Sequence, residues 1–304
     1  MNLSDPSPIR TTIPLPAGFR ANDVLAFHRR DSEQLAEQVT EQRIRKGLFW
    51  DGVPACLTLV FASASAAVEL AVDGPMPQGS SARLEQMVRR MLGLTQPVEA
   101  FEVALADHPQ LGPVIARNRG LRVPQTATPF EALTWAVTGQ QISVSAAVSV
   151  RRRFILAAGA AHSSGLWCVP DARRVAQTGA AALQGAGLSR TKAATLRAVS
   201  EEVVAGRLAL EDPLADTSAE AIGEQLNAVK GIGPWTVSYA LMRGFGWMDG
   251  SLHGDVAVRR NLQALLETPE KPTEAETRAW LEPFSPWRAL VAAHLWGLQS
   301  TAGY

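Results

Sequence analysis

The chain reads, from Leu226 to Arg260, LNAVKGIGPWTVSYALMRGFGWMDGSLHGDVAVRR. Near its start, Ile232 lies between Gly231 and Gly233, and Pro234 follows. Glycines allow a tight turn, and a proline suits the first position of the helix that leaves it. Backbone N–H groups at a helix start have no partner within the helix, and the helix dipole attracts an anion there. The segment therefore predicts two helices joined by a hairpin that binds a phosphate, although many helix connectors that bind nothing share this pattern.

Three residues that follow the hairpin carry functional chemistry. Trp235 and Tyr239 are four apart on the second helix and therefore share one face. A glycine-rich loop over residues 244–254 then leads to Asp255, and VAVRRNL after it has the spacing of an amphipathic helix. Asp255 thus lies at a helix N-terminus, where the dipole stabilises a carboxylate. It is either a functional carboxylate or simply the N-cap of that helix, a position that aspartate often takes.

The first hundred residues predict a small antiparallel sheet with one or two helices. Asp51-Gly52 has the composition of a two-residue hairpin turn, and Asp73-Gly74-Pro75 marks a further turn. The predicted strands cover Thr11–Leu15, Gln42–Trp50, Ala55–Ala62 and Ala67–Val72, and the predicted helix covers Ser81–Leu92.

From about residue 98 onward the sequence predicts helices. Thr128-Pro129-Phe130-Glu131 has the form of a capping box, with Thr128 as the N-cap and Glu131 three residues on. The stretches 217–220 and 273–276 repeat that box, and Ser285-Pro286 opens the last helix.

The chain has 304 residues, enough for one large or two ordinary domains. Pro and Gly residues within 108–125 mark the change from mixed to helical signals. The fold class is therefore α+β, with a small N-terminal antiparallel sheet domain over residues 1–108 and a mostly helical domain over residues 109–304.

The chain has no net charge, but its charges are unevenly distributed. Residues 111–200 hold eleven Lys and Arg against two acids, Glu131 and Asp171, an excess of nine positive charges. Such a basic surface attracts a polyanion even when the whole chain is neutral. The same charges would equally suit solvated helix faces.

Composition excludes several classes of protein. Only Cys56 and Cys168 are present, too few for a disulfide framework, a four-cysteine zinc site or an iron–sulfur cluster, and the five histidines are scattered. We therefore expect no metal and no cofactor. No apolar stretch reaches the length of a membrane helix, and the N-terminus has no signal-peptide pattern. These features predict a cytoplasmic protein that contacts no membrane.

Taken together, the helix, GIG hairpin, second helix, glycine-rich loop and Asp255 resemble the helix-hairpin-helix-Gly/Pro-Asp superfamily of DNA base-excision glycosylases, and within it the bacterial 3-methyladenine DNA glycosylase II branch. TGQQISVSAA, residues 138–147, is similar to that branch's DNA-wedge loop, and SPWRALVAAHLW, residues 285–296, to its C-terminal helix. The likeness covers residues 110–300, whereas over residues 1–105 it is only an order of elements that matches the family's sheet domain. The helical domain would then be a helix-hairpin-helix glycosylase domain.

The resemblance implies that Asp255 is the catalytic carboxylate and that Trp235, Tyr239 and Trp296 line a pocket for the base. Aromatic faces suit N-alkylated purines, which are cationic, because a cation over such a face gains roughly 0.5–2 kcal/mol. The oxocarbenium ion that develops on the sugar needs a carboxylate nearby, which can also orient or deprotonate the attacking water. We therefore expect hydrolysis of the N-glycosidic bond of bases such as 3-methyladenine and 7-methylguanine, flipped out of double-stranded DNA, to leave an abasic site.

The resemblance also implies the contacts with DNA. Gly231, Ile232 and Gly233 would bind a DNA phosphate. Gln140 and Gln141 would fill the gap left by the extruded base. The second of these is apolar in the bacterial enzyme, so the polar Gln141 argues against a purely hydrophobic wedge, although a glutamine can hydrogen-bond the orphaned base.

Two other functions stay open at this point. A non-catalytic helix-hairpin-helix DNA-binding protein would need the hairpin but neither the aromatic residues nor Asp255. A glycosylase for oxidised or mismatched bases is disfavoured because Trp235 stands where related bifunctional enzymes carry a Schiff-base Lys, which also predicts no strand cleavage. We expect a monomer whose partner is double-stranded DNA with alkylated bases. His253, two residues before Asp255, either approaches the site or lies on the loop surface.

Overall fold

The computed structural model describes residues 7–210 and 218–298. Seven strands form one sheet in the order β1-β5-β4-β3-β7-β6, and β2 also pairs with β3. The predicted antiparallel core of this sheet is confirmed, since β1 to β5 pair antiparallel wherever they meet. The strands are β1 (Ile9–Pro14), β2 (Glu37–Val39), β3 (Arg43–Trp50), β4 (Val53–Phe61), β5 (Ser65–Val72), β6 (Ala160–Ala161) and β7 (Trp167–Cys168).

The β3–β4 hairpin turns at Asp51-Gly52, as the sequence predicts. Both residues have positive φ, 50° and 79°, which is the backbone of a tight hairpin turn. The inward side chains of the strands then form one core with the helix over residues 80–91, including Leu57, Leu70 and Leu84, which are fully buried. Side chains alternate between the two faces along each strand, and the helix therefore covers the face that carries these apolar side chains.

Helices form most of the other regular structure in the described residues. The helix Pro234–Ala240 continues into a π-helical turn at Leu241–Phe245, and the helix Glu274–Leu281 continues into a 3-10 turn at Glu282–Phe284. The helices are α1 (Ala21–His28), α2 (Ser80–Met91), α3 (Val98–Leu105), α4 (Leu111–Arg117), α5 (Pro129–Gly139), α6 (Val144–Ala158), α7 (Ala172–Gln177), α8 (Ala180–Gly185), α9 (Arg190–Val204), α10 (Ala219–Asn227), α11 (Pro234–Ala240), α12 (Val256–Leu266), α13 (Glu274–Leu281) and α14 (Arg288–Trp296).

Two of the predicted capping boxes lie at observed helix starts. At α13 the box is complete, because Thr273 and Glu276 each bond the other's backbone N–H. At α5 it is half formed: Thr128 accepts from the N–H of Glu131, but the Glu131 carboxylate is used elsewhere. The N-terminus of α5 thus competes with tertiary contacts for the same carboxylate.

Two other predicted helix starts differ from the structure. Ser218 caps α10 by accepting from the N–H of Ala221, while Thr217, the predicted cap, lies outside the described residues. The last helix begins at Arg288 and not at Ser285-Pro286, because Trp287 is its N-cap residue. α1 and β2, which carry weak periodic signals, were not predicted.

The sheet does not end where the sequence predicts a domain boundary. β6 and β7 lie beyond residue 108 and extend the sheet, with Gly47 of β3 paired to Cys168 of β7. Gly47 has to be glycine there, because a Cβ would collide with the carbonyl oxygen of Trp167. The boundary at residue 108 stays a prediction.

A buried ion cluster joins the sheet to the helices. Lys46 of β3 is fully buried and donates to Glu37 at 2.7 Å and to Glu131 of α5 at 2.6 Å. Arg151 of α6 pairs with the same two carboxylates at 3.1 and 2.8 Å, and Nδ1 of His28 donates to Glu37 at 2.7 Å. Burial opposes ionisation of Glu37, but the charges of Lys46 and Arg151 hold its pKa well below the ordinary value. Within this cluster, the charges of Lys46, Arg151, Glu37 and Glu131 therefore each have an opposite partner.

Membrane-spanning helices and clustered metal ligands are both absent from residues 7–210 and 218–298. None of the helices over those ranges is long and apolar enough to cross a membrane. Within the same ranges, no group of three or more His, Cys, Asp or Glu side chains is arranged to hold a metal ion. Cys56 and Cys168 are buried free thiols.

Candidate functional site

The predicted hairpin forms between α10 and α11. Gly231 has φ +93°, and a Cβ on it would collide with the hydroxyl of Thr195, which itself donates to the carbonyl of Lys230 at 2.9 Å. Ile232 is buried in the helical core. Packing on both sides of the turn therefore requires a glycine at 231 and an apolar side chain at 232.

Gly233 is held by different constraints. It is the N-cap residue of α11 and has extended backbone, with φ −107° and ψ 174°. Apart from Gly233 itself and its two chain neighbours, no described residue has an atom within 4 Å of the position that a Cβ on Gly233 would take. A ligand can therefore approach the backbone here closely, and a side chain at 233 would obstruct that ligand rather than the fold.

The three predicted pocket aromatics come together. The rings of Trp235 and Tyr239 stack with centroids 5.2 Å apart and planes 28° apart, as their spacing on one helix face predicts. Trp296, the last residue of α14, is buried in the same core cluster. The guanidinium of Arg243 lies 5.9 Å from the Tyr239 ring and 5.6 Å from the Trp296 ring, and links these two side chains.

Arg243 also contacts this group of aromatic side chains and was not predicted from the sequence. This side chain is 3% exposed and donates to the carbonyl of Pro124 at 2.7 Å, and burial lowers its pKa to about 10. It follows Tyr239 by four residues, one helical turn, and that spacing was the available signal. Arg243 therefore braces the aromatic group from the buried side.

Asp255 occupies the predicted position at the start of α12. Its Oδ1 accepts from the backbone N–H groups of Ala257 and Val258, each at 2.9 Å. The indole N–H of Trp296 donates to Oδ1 at 3.2 Å, and that of Trp235 donates to Oδ2 at 3.0 Å. The carboxylate is thus more than a helix cap, since it also contacts two of the three predicted pocket aromatics. A negative charge held by N–H donors beside aromatic rings can stabilise a cation.

His253 neither joins this carboxylate nor lies on the loop surface. It is buried, its Nε2 accepts from Arg278 at 2.8 Å, and its Nδ1 lies 2.9 Å from the hydroxyl of Ser251. Burial and the charge of Arg278 lower its pKa, so the ring is neutral at pH 7. His253 supports the loop that leads to Asp255.

The two predicted gap-filling glutamines have different surroundings. The side-chain amide of Gln140 donates to the carbonyl of Gly231 at 3.0 Å and to the hydroxyl of Thr236 at 2.9 Å. Gln141 is exposed and has φ +58°. Lys192 of α9 holds the same loop, because its ammonium donates to the carbonyl of Gln140 at 2.8 Å. Thr236 and Lys192 were not predicted, since they lie far from the loop in sequence.

Much of the predicted basic segment is neutralised within the protein. Among the described residues, five of its eleven cations pair with carboxylates: Arg119 with Glu102, Arg122 with Glu99, Arg151 with Glu37 and Glu131, Arg152 with Asp31, and Arg197 with Glu201. Most of these acids lie outside residues 111–200, so counting the segment alone overstates its surface charge.

Comparison with family profiles gives two matches. The HhH-GPD superfamily of base excision DNA repair proteins matches residues 134–286, half of the chain. The AlkA N-terminal domain matches residues 12–128. Together they cover the sheet, the hairpin and Asp255.

Individual proteins are similar over much of the chain. A DNA-3-methyladenine glycosylase of Bacillus subtilis is 25% identical over 290 residues, which cover 93% of this chain and 95% of that protein. DNA-3-methyladenine glycosylase 2 of Escherichia coli is 27% identical over 188 residues, 61% of this chain and 63% of that protein. The solved structure of a 3-methyladenine DNA glycosylase from Archaeoglobus fulgidus superposes with a TM-score of 0.77 at 21% identity, over 94% of this chain and 97% of that one. At that identity the superposition shows a shared fold.

Proposed function

The chain belongs to the HhH-GPD superfamily of base excision DNA repair proteins, and from this premise we propose that it is a DNA glycosylase that hydrolyses the N-glycosidic bond of alkylated bases in double-stranded DNA without cleaving the strand. One observation carries the proposal: the Asp255 carboxylate accepts the indole N–H groups of Trp235 and Trp296. Charge stabilisation and a base-stacking surface are thereby combined in one place. A protein that only binds DNA would need neither.

The aromatic side chains of Trp235, Tyr239 and Trp296 explain why the enzyme would prefer alkylated bases. A base inside a duplex has to be flipped out before an enzyme can act on it, at a cost of a few kcal/mol. The stacked pair of Trp235 and Tyr239 offers the extruded base a new stacking surface, and Trp296 a further face. A purine methylated at N3 or N7 is cationic, and gains a cation–π contribution that an unmodified base lacks.

The reaction follows from the carboxylate beside that surface. The C1′–N bond breaks and its electron pair leaves with the base, which for a cationic purine departs neutral. The sugar is then an oxocarbenium ion, which Asp255 stabilises electrostatically. Water adds to C1′ and gives up a proton to Asp255 or to solvent, so the products are the free base and an abasic site.

Contacts with the duplex come from two neighbouring loops. The backbone N–H groups of Gly231 and Gly233 bind a phosphate at the start of α11. The N–H of Ile232, the third residue of the predicted set, instead donates to the carbonyl of Val229 at 3.1 Å. Gln141, exposed at the loop between α5 and α6, occupies the gap left by the base. Gln140, to which the resemblance assigns the same role, braces this loop against the hairpin through Gly231 and Thr236.

The decisive experiment is release of bases from methylated duplex DNA by the wild type and by Asp255→Asn. We expect the wild type to release 3-methyladenine and 7-methylguanine and to leave intact strands with abasic sites. Binding of the same duplex without base release by the wild type would leave only a DNA-binding protein and refute the proposal.

A further inference from the structure

Trp235 contacts the site by more than its ring. Its indole N–H donates to Oδ2 of Asp255 at 3.0 Å. We propose that this N–H orients the Asp255 carboxylate for hydrolysis, so that Trp235 is a positioning residue for the reaction as well as a wall of the base pocket. The inference rests on the proposed function, because it assigns a task within that reaction.

The protein holds the two oxygens of Asp255 differently. Oδ1 accepts three donors: the backbone N–H groups of Ala257 and Val258 and the indole of Trp296. Oδ2 accepts one donor from the described residues, the indole of Trp235. A carboxylate offers about four lone-pair positions, two on each oxygen. Protein donors therefore saturate Oδ1, and the remaining position on Oδ2 is the one that can serve the sugar or the attacking water.

This difference gives Trp235 control over the reacting oxygen. The bonds from the first turn of α12 fix Oδ1, but the carboxylate plane can still turn about that oxygen. Within the described chain, the Trp235 N–H is the protein contact that sets the direction of Oδ2. A displacement of about 1 Å at a reacting group can cost roughly a hundredfold in rate.

The Trp235 side chain is itself held in one orientation by its neighbours. Its ring stacks on Tyr239, and it follows Gly233 and Pro234 at the start of α11. One side chain therefore connects the helix that begins at the phosphate-binding hairpin with Asp255, the cap of α12. Binding of a phosphate at the hairpin and alignment of the carboxylate rest on the same short segment.

An isosteric replacement separates the N–H from the ring. We would replace Trp235 with 3-benzothienylalanine, which keeps two fused rings and carries sulfur in place of the N–H. The maximal single-turnover rate of base release from methylated DNA should fall by about tenfold to a hundredfold. The protein concentration that gives half of that rate should stay unchanged, because the stacking surface remains. The matched control is the same replacement at Trp280, which packs on Phe284 with ring centroids 4.9 Å apart; it should leave the rate unchanged.

A binding measurement without any base gives an independent readout. One duplex carries a pyrrolidine in place of a nucleotide, a protonated mimic of the oxocarbenium ion, and a second carries the neutral tetrahydrofuran. Neither puts a base in the pocket, so stacking contributes equally to both. The wild type should prefer the pyrrolidine duplex, since enzymes bind mimics of the transition state tightly, and the Trp235 replacement should lose most of that preference.

The outcomes separate the two levels of the argument. An unchanged rate, or a lower rate with an unchanged preference for pyrrolidine, would overturn the positioning role and leave Trp235 as a pocket wall only. A wild-type protein that releases no alkylated base would refute the proposed function, and the positioning role with it.

Discussion

The side-chain amide of Gln140 donates to the hydroxyl of Thr236 at 2.9 Å, which joins the loop after α5 to the first turn of α11. A second bond from the same amide reaches the carbonyl of Gly231. Gln140 is therefore committed to the hairpin, whereas its neighbour Gln141 is exposed. Two adjacent residues of the same type thus have different surroundings, and we propose that only Gln141 contacts the DNA.

This division predicts different effects for two matched variants. Gln141→Ala should weaken binding to a duplex with an abasic site, because the gap stays unfilled, and should leave binding to undamaged duplex unchanged. Gln140→Ala should weaken both, because it loosens the hairpin that we propose binds phosphate. Fluorescence anisotropy with the two duplexes would measure this. Identical behaviour of the two variants would contradict the division.

The carboxylate itself gives the second prediction. Asp255→Asn keeps the size of the side chain but removes the negative charge, so base release should fall by roughly a hundredfold or more while duplex binding persists. Turnover can be followed by chromatography of released methylated bases. Glu274→Gln, at an exposed carboxylate in the first turn of the neighbouring α13, is the control and should retain activity. More than about a tenth of wild-type turnover in Asp255→Asn would exclude Asp255 as the main electrostatic stabiliser.

The third prediction concerns the fate of the abasic product. A lyase reaction needs an amine that forms a Schiff base with the opened sugar. Trp235 stands directly after the hairpin, and Lys192 is occupied with the backbone carbonyls of Thr138 and Gln140. We expect no strand cleavage by the purified protein and no covalent adduct after borohydride treatment. A protein–DNA band on a denaturing gel would show that another amine reacts.

Local signals in the sequence were enough for the hairpin and for Asp255 at a helix start. The two glycines, the proline and the capping carboxylate act over a single turn each, so their effects do not depend on distant parts of the chain. The stacking of Trp235 on Tyr239 followed from helix geometry for the same reason.

Local pattern could not predict contacts between distant segments, and only the family resemblance placed Trp296 in the pocket. Trp296 reaches Asp255 across 41 residues, and Gln140 reaches Thr236 across 96. Lys46 looks like a surface residue of a strand, and only the fold brings Glu37 and Glu131 to it. The positive surface charge of residues 111–200 was overestimated, because the acids that neutralise this segment belong mostly to other parts of the chain. Pairing of this kind is set by tertiary structure, not by local pattern.

The buried ion cluster leads to the fourth prediction, on stability. Lys46→Met should destabilise the fold by about 3–5 kcal/mol, because it leaves Glu37 and Glu131 buried with one cation fewer.

The free energy of unfolding should also fall on acidification. Burial lowers the pKa of His28 from 6.5, and Lys46 and Arg151 hold the pKa of Glu37 well below 4.5, so the unfolded chain binds these protons first as pH drops. The contribution of His28 is lost as pH falls below about 6.5, and that of Glu37 below about 4.5.

Urea denaturation measured between pH 8 and pH 4 would follow both effects. Glu37→Gln is the informative variant, since it should be less stable at neutral pH yet lose less stability in the acidic range. A wild-type stability that is flat from pH 7 to pH 4 would mean that these buried groups titrate alike in the folded and unfolded chains.

The last prediction concerns how the protein holds DNA. Gly233→Val should weaken duplex binding although no charge changes, because a side chain there meets nothing in the described protein and obstructs the phosphate instead. Gly231→Ala is its counterpart: with φ +93° and the Thr195 hydroxyl against it, the change should destabilise the fold itself. A thermal unfolding curve therefore separates the two, with the unfolding temperature of Gly233→Val unchanged and that of Gly231→Ala lowered.

The salt dependence of DNA binding tests the same surface. Each phosphate neutralised by a cation contributes about −0.9 to the slope of log affinity against log salt. Because five of the eleven cations of residues 111–200 pair with carboxylates, we expect a moderate slope, about −2 to −5, and not the steep response of a polybasic protein. Gly233→Val should shift the whole line to weaker binding with its slope nearly kept, since backbone N–H groups release few counterions. A flat salt response, or wild-type affinity in Gly233→Val, would place the DNA on another surface of the protein.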